Sequence, residues 1–294
     1  MIRFFVCKDV STLILNKINE IQNTLLNMDD HTLKPSFMYS YSIFESTLTE
    51  ILRYYLMAFP EKLDNNLTIG KDELLSTSST HDIILFSVNK HIRKYSCKTL
   101  LEYLSFFKHI LSIEFFIDDN MIKKISQIRN SMTHDDANSE LLCFHINQFD
   151  LSLSYSDIKS YISYLCDLLN DMLNQINEVY NKYTYEFLLR SIWKYTFSTP
   201  LLNFDDIWEF NQDGVLQIRD LKKVKKKISG ISSNEHLFLS IFLQQYNNSL
   251  NDALHFFHNI PALVSMDSDS KDKLINIITF FKYYPLFFNG TPIR

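Results

Sequence analysis

Residues 154–179, "SYSDIKSYISYLCDLLNDMLNQINEV", carry the pattern on which the fold turns. Ser154 and Asp157 stand at capping-box spacing, with Asp in place of the usual Glu, so each satisfies a backbone N–H that a helix start leaves open. Behind them Ile158, Leu165, Leu168, Met172, Ile176 and Val179 recur at helical spacing as one apolar stripe. This predicts the longest helix of the chain, over about 155–182. A helix with a single apolar stripe must bury it against partners, and the preceding chain supplies them.

Working back to the N terminus, Ser11 reads as an N-cap, and Ile14, Ile18, Ile21, Leu25 and Met28 form the first stripe. Pro35 suits the first turn of a second helix. Its stripe is Phe37, Tyr41, Phe44, Leu48, Ile51 and Tyr55, and it stops at Phe59-Pro60. The polar stretch Asp64–Thr80 reads as a loop with a short helix around Glu73 to Leu75. Helices follow over about 81–94 and 98–115. Another runs from Asp119 toward Thr133, with Met121, Ile125, Ile128 and Met132 on one face. A polar connection at 135–140 and an extended run at 141–153 lead into the long helix. Residues 1–184 therefore read as a helical bundle closed by that helix.

Beyond 185 the texture changes. "DIWEFNQDGVLQI" (206–218) sets two short apolar runs around an Asp213-Gly214 turn, a β-hairpin signal. Two helices opening with the boxes Ser232/Glu235 and Ser249/Asp252, and a last one over about 270–284, complete a smaller, mostly helical module, 185–294. The fold class is all-α with this one short hairpin. Only 4 Gly and 6 Pro in 294 residues support it, since a β-rich fold needs turn residues every few positions.

A 46% hydrophobic chain with 21% charged residues buries a real core. Its net charge of −5 is not the footprint of a general nucleic-acid binder, so contact with RNA would rest on local patches. Cys7, Cys97, Cys143 and Cys166 lack CxxC spacing, and the expectation is reduced thiols in a cytoplasmic protein without metal or cofactor. The start carries no secretory signal, and no run of 18 apolar residues predicts a membrane span. Neither a Gly-rich phosphate loop nor a GxSxG motif occurs, which removes the NTPase and serine-hydrolase classes.

The chemistry-bearing stretch is "QIRNSMTHDD", 127–136. With 7 Arg and 9 His in the chain, an Arg followed at this range by a His arises by chance roughly 0.6 times, so spacing alone decides nothing. Context decides more. Arg129 follows Ile125 by four and Ile122 by seven, at the border of the apolar face, where its planar fork needs a carboxylate, a phosphate or a partner chain. Asp135 and Asp136 suit a helix C-terminus badly, so the helix is expected to stop near Thr133 with His134 on a turn. An imidazole with an ordinary pKa of about 6.5 can take the proton of a ribose 2′-hydroxyl. A guanidinium can hold the adjacent phosphate, and Asn130 can orient either one. DNA lacks that hydroxyl, so the chemistry is specific to RNA.

"IRNSMTH" at the end of a helix, preceded by "SFMYSYSIFESTLTEIL" and followed by a polar loop and a long closing helix, resembles the HEPN superfamily over about residues 10–182. The resemblance implies a homodimeric, metal-independent endoribonuclease of toxin or phage-abortive-infection type, with an antitoxin or regulatory protein as a further partner. Arg129, Asn130 and His134 match the family's catalytic positions, in a cleft composed across the dimer. Glu45 matches a polar position that often supports the site; a Glu in a local salt bridge is the other reading. HEPN toxins silenced by a nucleotidyltransferase carry a Tyr where this chain has Asp136, so that mode of control is not implied.

Two cationic clusters either track a phosphate backbone or form solvated helix faces: Lys90, Arg93 and Lys94, and Arg219, Lys222, Lys223, Lys225, Lys226 and Lys227. His255 and His258 share a helix face without a third metal ligand. Cys143 and His145 alternate along an expected strand, where same-face packing outweighs a Cys-His nucleophile pair. The rival to the nuclease is a non-catalytic HEPN-like protein- or RNA-binding module, in which Arg129 and His134 make a structural or partner contact.

Overall fold

The structure is a computed structural model that describes residues 2–75, 77, 79–134, 143–146, 149–152, 154–197, 202–210, 212, 216–219, 232–246 and 266–283. The chain divides into two compact units, Phe5–Thr184, and Tyr185–Arg294 together with Met1–Phe4. Most described residues are helical.

The first unit runs α1 (Cys7–Leu26), α2 (Leu33–Ala58), a 3-10 turn (Pro60–Lys62), α3 (Lys71–Leu75), α4 (Thr80–Ser96), α5 (Leu100–Leu111), α6 (Asp119–His134), β1 (Cys143–Ile146), β2 (Phe149–Ser152) and α7 (Tyr155–Tyr180). Helix α2 is its centre and packs against α1, α4, α5, α6 and α7. The whole stripe from Phe37 to Tyr55 is buried, and so are Ser36, Ser40 and Thr47 on one flank of it. Small hydroxyl residues let neighbours approach, and Thr47 meets its own need by donating to the Ile43 carbonyl at 2.6 Å.

Helices α1 and α7 lie antiparallel. Cys7 Sγ meets the Ile176 carbonyl, while the Tyr155 hydroxyl reaches the Met28 carbonyl at the other end. The capping box at Ser154 and Asp157 forms as read from the sequence. Val179, assigned to the apolar stripe, is instead 41% exposed, because Tyr180 takes the buried position one residue on. Helix α1 begins at Cys7 rather than after Ser11. The Ser11 hydroxyl does not cap; it lies within hydrogen-bond distance of the Cys7 carbonyl one turn back and of the Asn177 side chain of α7. Helix α5 opens with a capping box of Thr99 and Glu102 and ends at Ser112, whose φ of 53° places it in the left-handed region. The extended run read over 141–153 is a hairpin, with Cys143–Ile146 antiparallel to Phe149–Ser152.

The second unit holds α8 (Tyr185–Thr196), α9 (Phe204–Ile207), β3 (Trp208–Phe210), β4 (Leu216–Ile218), α10 (Ser233–Tyr246) and α11 (Ser268–Tyr283). The two runs flanking Asp213-Gly214 pair as antiparallel strands. The Ser232/Glu235 box caps α10 through contacts in both directions. The box at Ser249/Asp252 lies outside the described residues. Trp193 centres this core, ringed by Phe197, Phe204, Trp208 and Phe242, and its indole N–H donates to the Leu202 carbonyl at 2.7 Å. Among the described residues, no helix is long and apolar enough to cross a membrane.

Candidate active site

Helix α6 presents Arg129. Asp118 caps the helix by accepting from the N–H groups of Asn120 and Met121, and Ile122, Ile125, Ile128 and Met132 bury its apolar face. Arg129 borders that face and is half-buried. Its guanidinium lies over the Tyr41 ring, 5.6 Å from the centroid, and Nη1 donates to Asn130 Oδ1 at 3.2 Å. The Nε–H is buried without a hydrogen-bond partner among the described residues. Among those residues no carboxylate oxygen comes within ion-pair distance, although Glu45 feels its charge, so the fork keeps donors for a ligand.

Helix α2 supplies the other wall. Tyr41, Glu45, Thr49 and Arg53 follow at four-residue intervals and so share one face. Burial pushes the Glu45 carboxyl above the usual carboxylate range, while the Tyr41 hydroxyl and Arg129 pull it back. The Tyr41 hydroxyl is raised by burial first and then by Glu45, with Arg129 opposing. From α5, Tyr103 meets the Thr49 hydroxyl at 2.9 Å, and burial pushes its own hydroxyl up to about 12. Tyr41, Thr49, Arg53 and Tyr103 had no functional reading in the sequence. The four-residue ladder on an otherwise apolar helix was the available signal.

The raised Glu45 pKa sets a sign. Between the ordinary carboxyl value of 4.5 and the raised one, the folded chain holds more protons than the unfolded chain. Stability therefore falls as pH rises through that window and stays lower above it. Glu45→Gln is expected to raise the thermal midpoint near pH 7 and to lose that gain below about pH 4.5. Thermal melts at both pH values check this. A lowered midpoint at neutral pH would mean that attraction to Arg129 outweighs burial.

Helix α6 runs through His134 instead of stopping at Thr133. Backbone hydrogen bonding continues one residue past the expected stop, so the terminal His belongs to the helix. Five residues of α-helix set His134 about 140° around the axis from Arg129 and about 7.5 Å along it. One helix thus does not bring the two onto one face. The His134 side chain, like Asp135 and Asp136, lies outside what the structure describes.

The cationic cluster of α4 is largely paired. Lys90 binds Glu73 at 3.1 Å and the Thr68 carbonyl, and Lys94 binds Asp64 at 3.3 Å. Arg93 is exposed. Arg219 lies 3.4 Å from Glu209, and Lys222, Lys223, Lys225, Lys226 and Lys227 fall outside the described residues. His255 and His258 fall outside them too. Cys143 and His145 occupy alternate positions of β1. Cys7, Cys97 and Cys166 are free thiols; burial pushes Cys166 up to about 11, which keeps it protonated and unreactive. Among the described residues no group of three His, Cys, Asp or Glu side chains is placed to hold a metal ion.

Comparison with protein-family models, with curated proteins and with solved structures returns no match for this chain. The fold and the site define a mostly helical protein with a half-buried arginine–tyrosine–carboxylate cluster where α6 meets α2 in its larger unit.

Proposed function

We propose that the protein is a metal-independent endoribonuclease of HEPN type, a homodimeric toxin or antiphage effector that cleaves RNA through the ribose 2′-hydroxyl. The observation that carries this reading is the setting of Arg129: half-buried on Tyr41, joined to Asn130, and facing Glu45 without an ion-pair contact to it. Such an arginine is preorganised for an oxyanion.

In the reaction His134 takes the 2′-hydroxyl proton, and the 2′-oxygen attacks the adjacent phosphorus. The bond to the 5′-oxygen breaks, that oxygen takes a proton from water, and the protonated His134 returns its proton to the solvent. The products are a 2′,3′-cyclic phosphate and a 5′-hydroxyl end. Arg129 holds the non-bridging oxygens as charge grows on them, and Asn130 orients the phosphate. The nucleophile belongs to the substrate, so no metal-bound water is required. The separation of Arg129 and His134 around one helix favours a site in which one protomer supplies the arginine and its partner the histidine. Residues 185–294 would recognise the substrate, a regulator such as an antitoxin, or a trigger.

A non-catalytic protein- or RNA-binding module of the same type is the second reading. The pairing of Lys90 and Lys94 with acidic residues favours it, because that cluster is then not open to a phosphate backbone. The two readings part on one assay. Wild-type protein with structured and single-stranded RNAs in EDTA is expected to yield cyclic-phosphate ends. His134→Ala should lower the rate by about 10²–10⁴-fold, with unchanged far-UV circular dichroism and dimer mass. Wild type that leaves every RNA uncut selects the binding module.

A further inference from the structure

His91 is a buried ionisable group that the site does not use. It stands on α4 and is 3% exposed, and both of its ring nitrogens lie buried without a hydrogen-bond partner among the described residues. Its neighbours are rings. Tyr95, one turn on along α4, lies at 5.6 Å and Phe106 of α5 at 5.3 Å, and these two stack on each other at 3.7 Å. A neutral imidazole in such a setting gives up its hydrogen bonds to water, and a protonated one gives up far more.

Residues 63–75 are tied to α4 on both sides of this ring. Lys90, one residue before it, donates to the Thr68 carbonyl at 2.9 Å and pairs with Glu73 at 3.1 Å. Lys94, three residues after it, pairs with Asp64 at 3.3 Å. Exposed pairs of this kind hold weakly, so the attachment is sensitive to what happens beneath it. Charge reaches the imidazole from two elements. Asp64, on the tied segment, draws a proton toward the ring, and Lys94, on its own helix, opposes one. Helix α5 contributes the Phe106 ring, and α2 meets α4 through Arg53 at Asn89. Burial outweighs Asp64 and holds the ring below its ordinary value of 6.5. Between that lowered value and 6.5 the closed segment binds fewer protons than an opened one. Closure is therefore at full strength above about 6.5 and weakens as pH falls through the lowered value.

We propose that His91 is an acid-sensitive latch: protonation of its ring releases residues 63–75 from α4 and parts Lys90 and Lys94 from Glu73 and Asp64. The latch is independent of the ribonuclease reading. The test is hydrogen exchange of the full chain between about pH 7.5 and pH 5, read by mass spectrometry. Each rate is divided by that of an unstructured peptide of the same sequence at the same pH. Asp64 and Glu73 stay ionised over that range, because the backbone N–H groups of Asn66 and Gly70 and the paired lysines hold both below their ordinary values. Opening of wild type should rise by up to about tenfold per pH unit in residues 63–75 and in α4 around His91, while α1 and α7 stay protected. His91→Phe fills the place of the ring, and His91→Gln keeps a neutral polar group; both should remove the rise. An equal rise in the two variants, no rise in wild type, or a rise shared by α1 and α7 would overturn the latch.

Discussion

Arg129→Ala is expected to lower RNA cleavage by about 10²–10³-fold, the usual effect of removing one preorganised donor from a developing oxyanion. The loss should fall in kcat more than in KM, because charge on the phosphate oxygens grows toward the transition state. Arg129→Lys is the sharper variant. A lysine keeps the charge but does not offer a planar fork of donors, so most of the loss should remain. Single-turnover cleavage of a defined RNA gives the rate, and far-UV circular dichroism with dimer mass reports on the fold. If Arg129 is instead a structural or partner contact, the alanine variant will lose thermal stability or dimerisation while any cleavage per dimer stays constant. The cluster predicts a modest stability change only, since the guanidinium makes one hydrogen bond and one ring contact.

Much of the fold was readable because the helices announce themselves twice, by stripe and by cap. Ile14, Ile18 and Ile21, then Phe37 to Tyr55, lie at 3.6-residue spacing and are buried where that spacing puts them. The boxes at Ser154 and Ser232 are local chemistry and formed where the letters stood. The start of α1 was not readable in the same way. Ser11 looks like a cap, yet its hydroxyl is occupied by Cys7 and by Asn177, a residue 166 positions away. The hairpin of β1 and β2 lacks an Asn-Gly or Asp-Gly turn, so nothing local marks where the extended run folds back.

The site divides along the same line. Arg129 was marked by its place at the edge of the α6 stripe, a local property. Its partner Tyr41 was hidden among core residues, because an aromatic on a stripe reads as packing whichever face of the ring is used. That Tyr41 serves the core and the guanidinium together follows only from α6 lying against α2. The Lys90 and Lys94 cluster shows the converse. Charge runs are visible in a sequence, but the carboxylates that neutralise them are 17 and 30 residues away.

Phe5→Ala is expected to destabilise the first unit by about 3–5 kcal/mol, the usual result for a buried phenylalanine. Phe5 is 1% exposed and meets five rings, Tyr54, Tyr55, Phe59, Tyr180 and Tyr183, at 5.4–5.8 Å. Next to it the Val6 N–H donates to the Tyr54 hydroxyl and the Cys7 N–H to the Tyr183 carbonyl. Tyr180 in turn donates to the Leu111 carbonyl and meets the Tyr55 hydroxyl. One ring thereby joins the start of α1 to the ends of α2, α5 and α7. Against a typical domain stability of about 5–15 kcal/mol the loss is large. Urea unfolding followed by far-UV circular dichroism should show a lowered midpoint with an unchanged slope. Trp193 and Trp208 both lie beyond Thr184, so tryptophan fluorescence follows the second unit separately. Phe5→Leu keeps an apolar side chain in place and should lose less than half as much. A loss below about 1 kcal/mol for the alanine variant would mean that this ring does not hold the bundle closed. The cluster meets α2 at Tyr55, about 21 Å along the helix from Tyr41. Under conditions where the variant stays folded, cleavage per folded dimer should therefore match wild type, which separates a loss of fold from a loss of site.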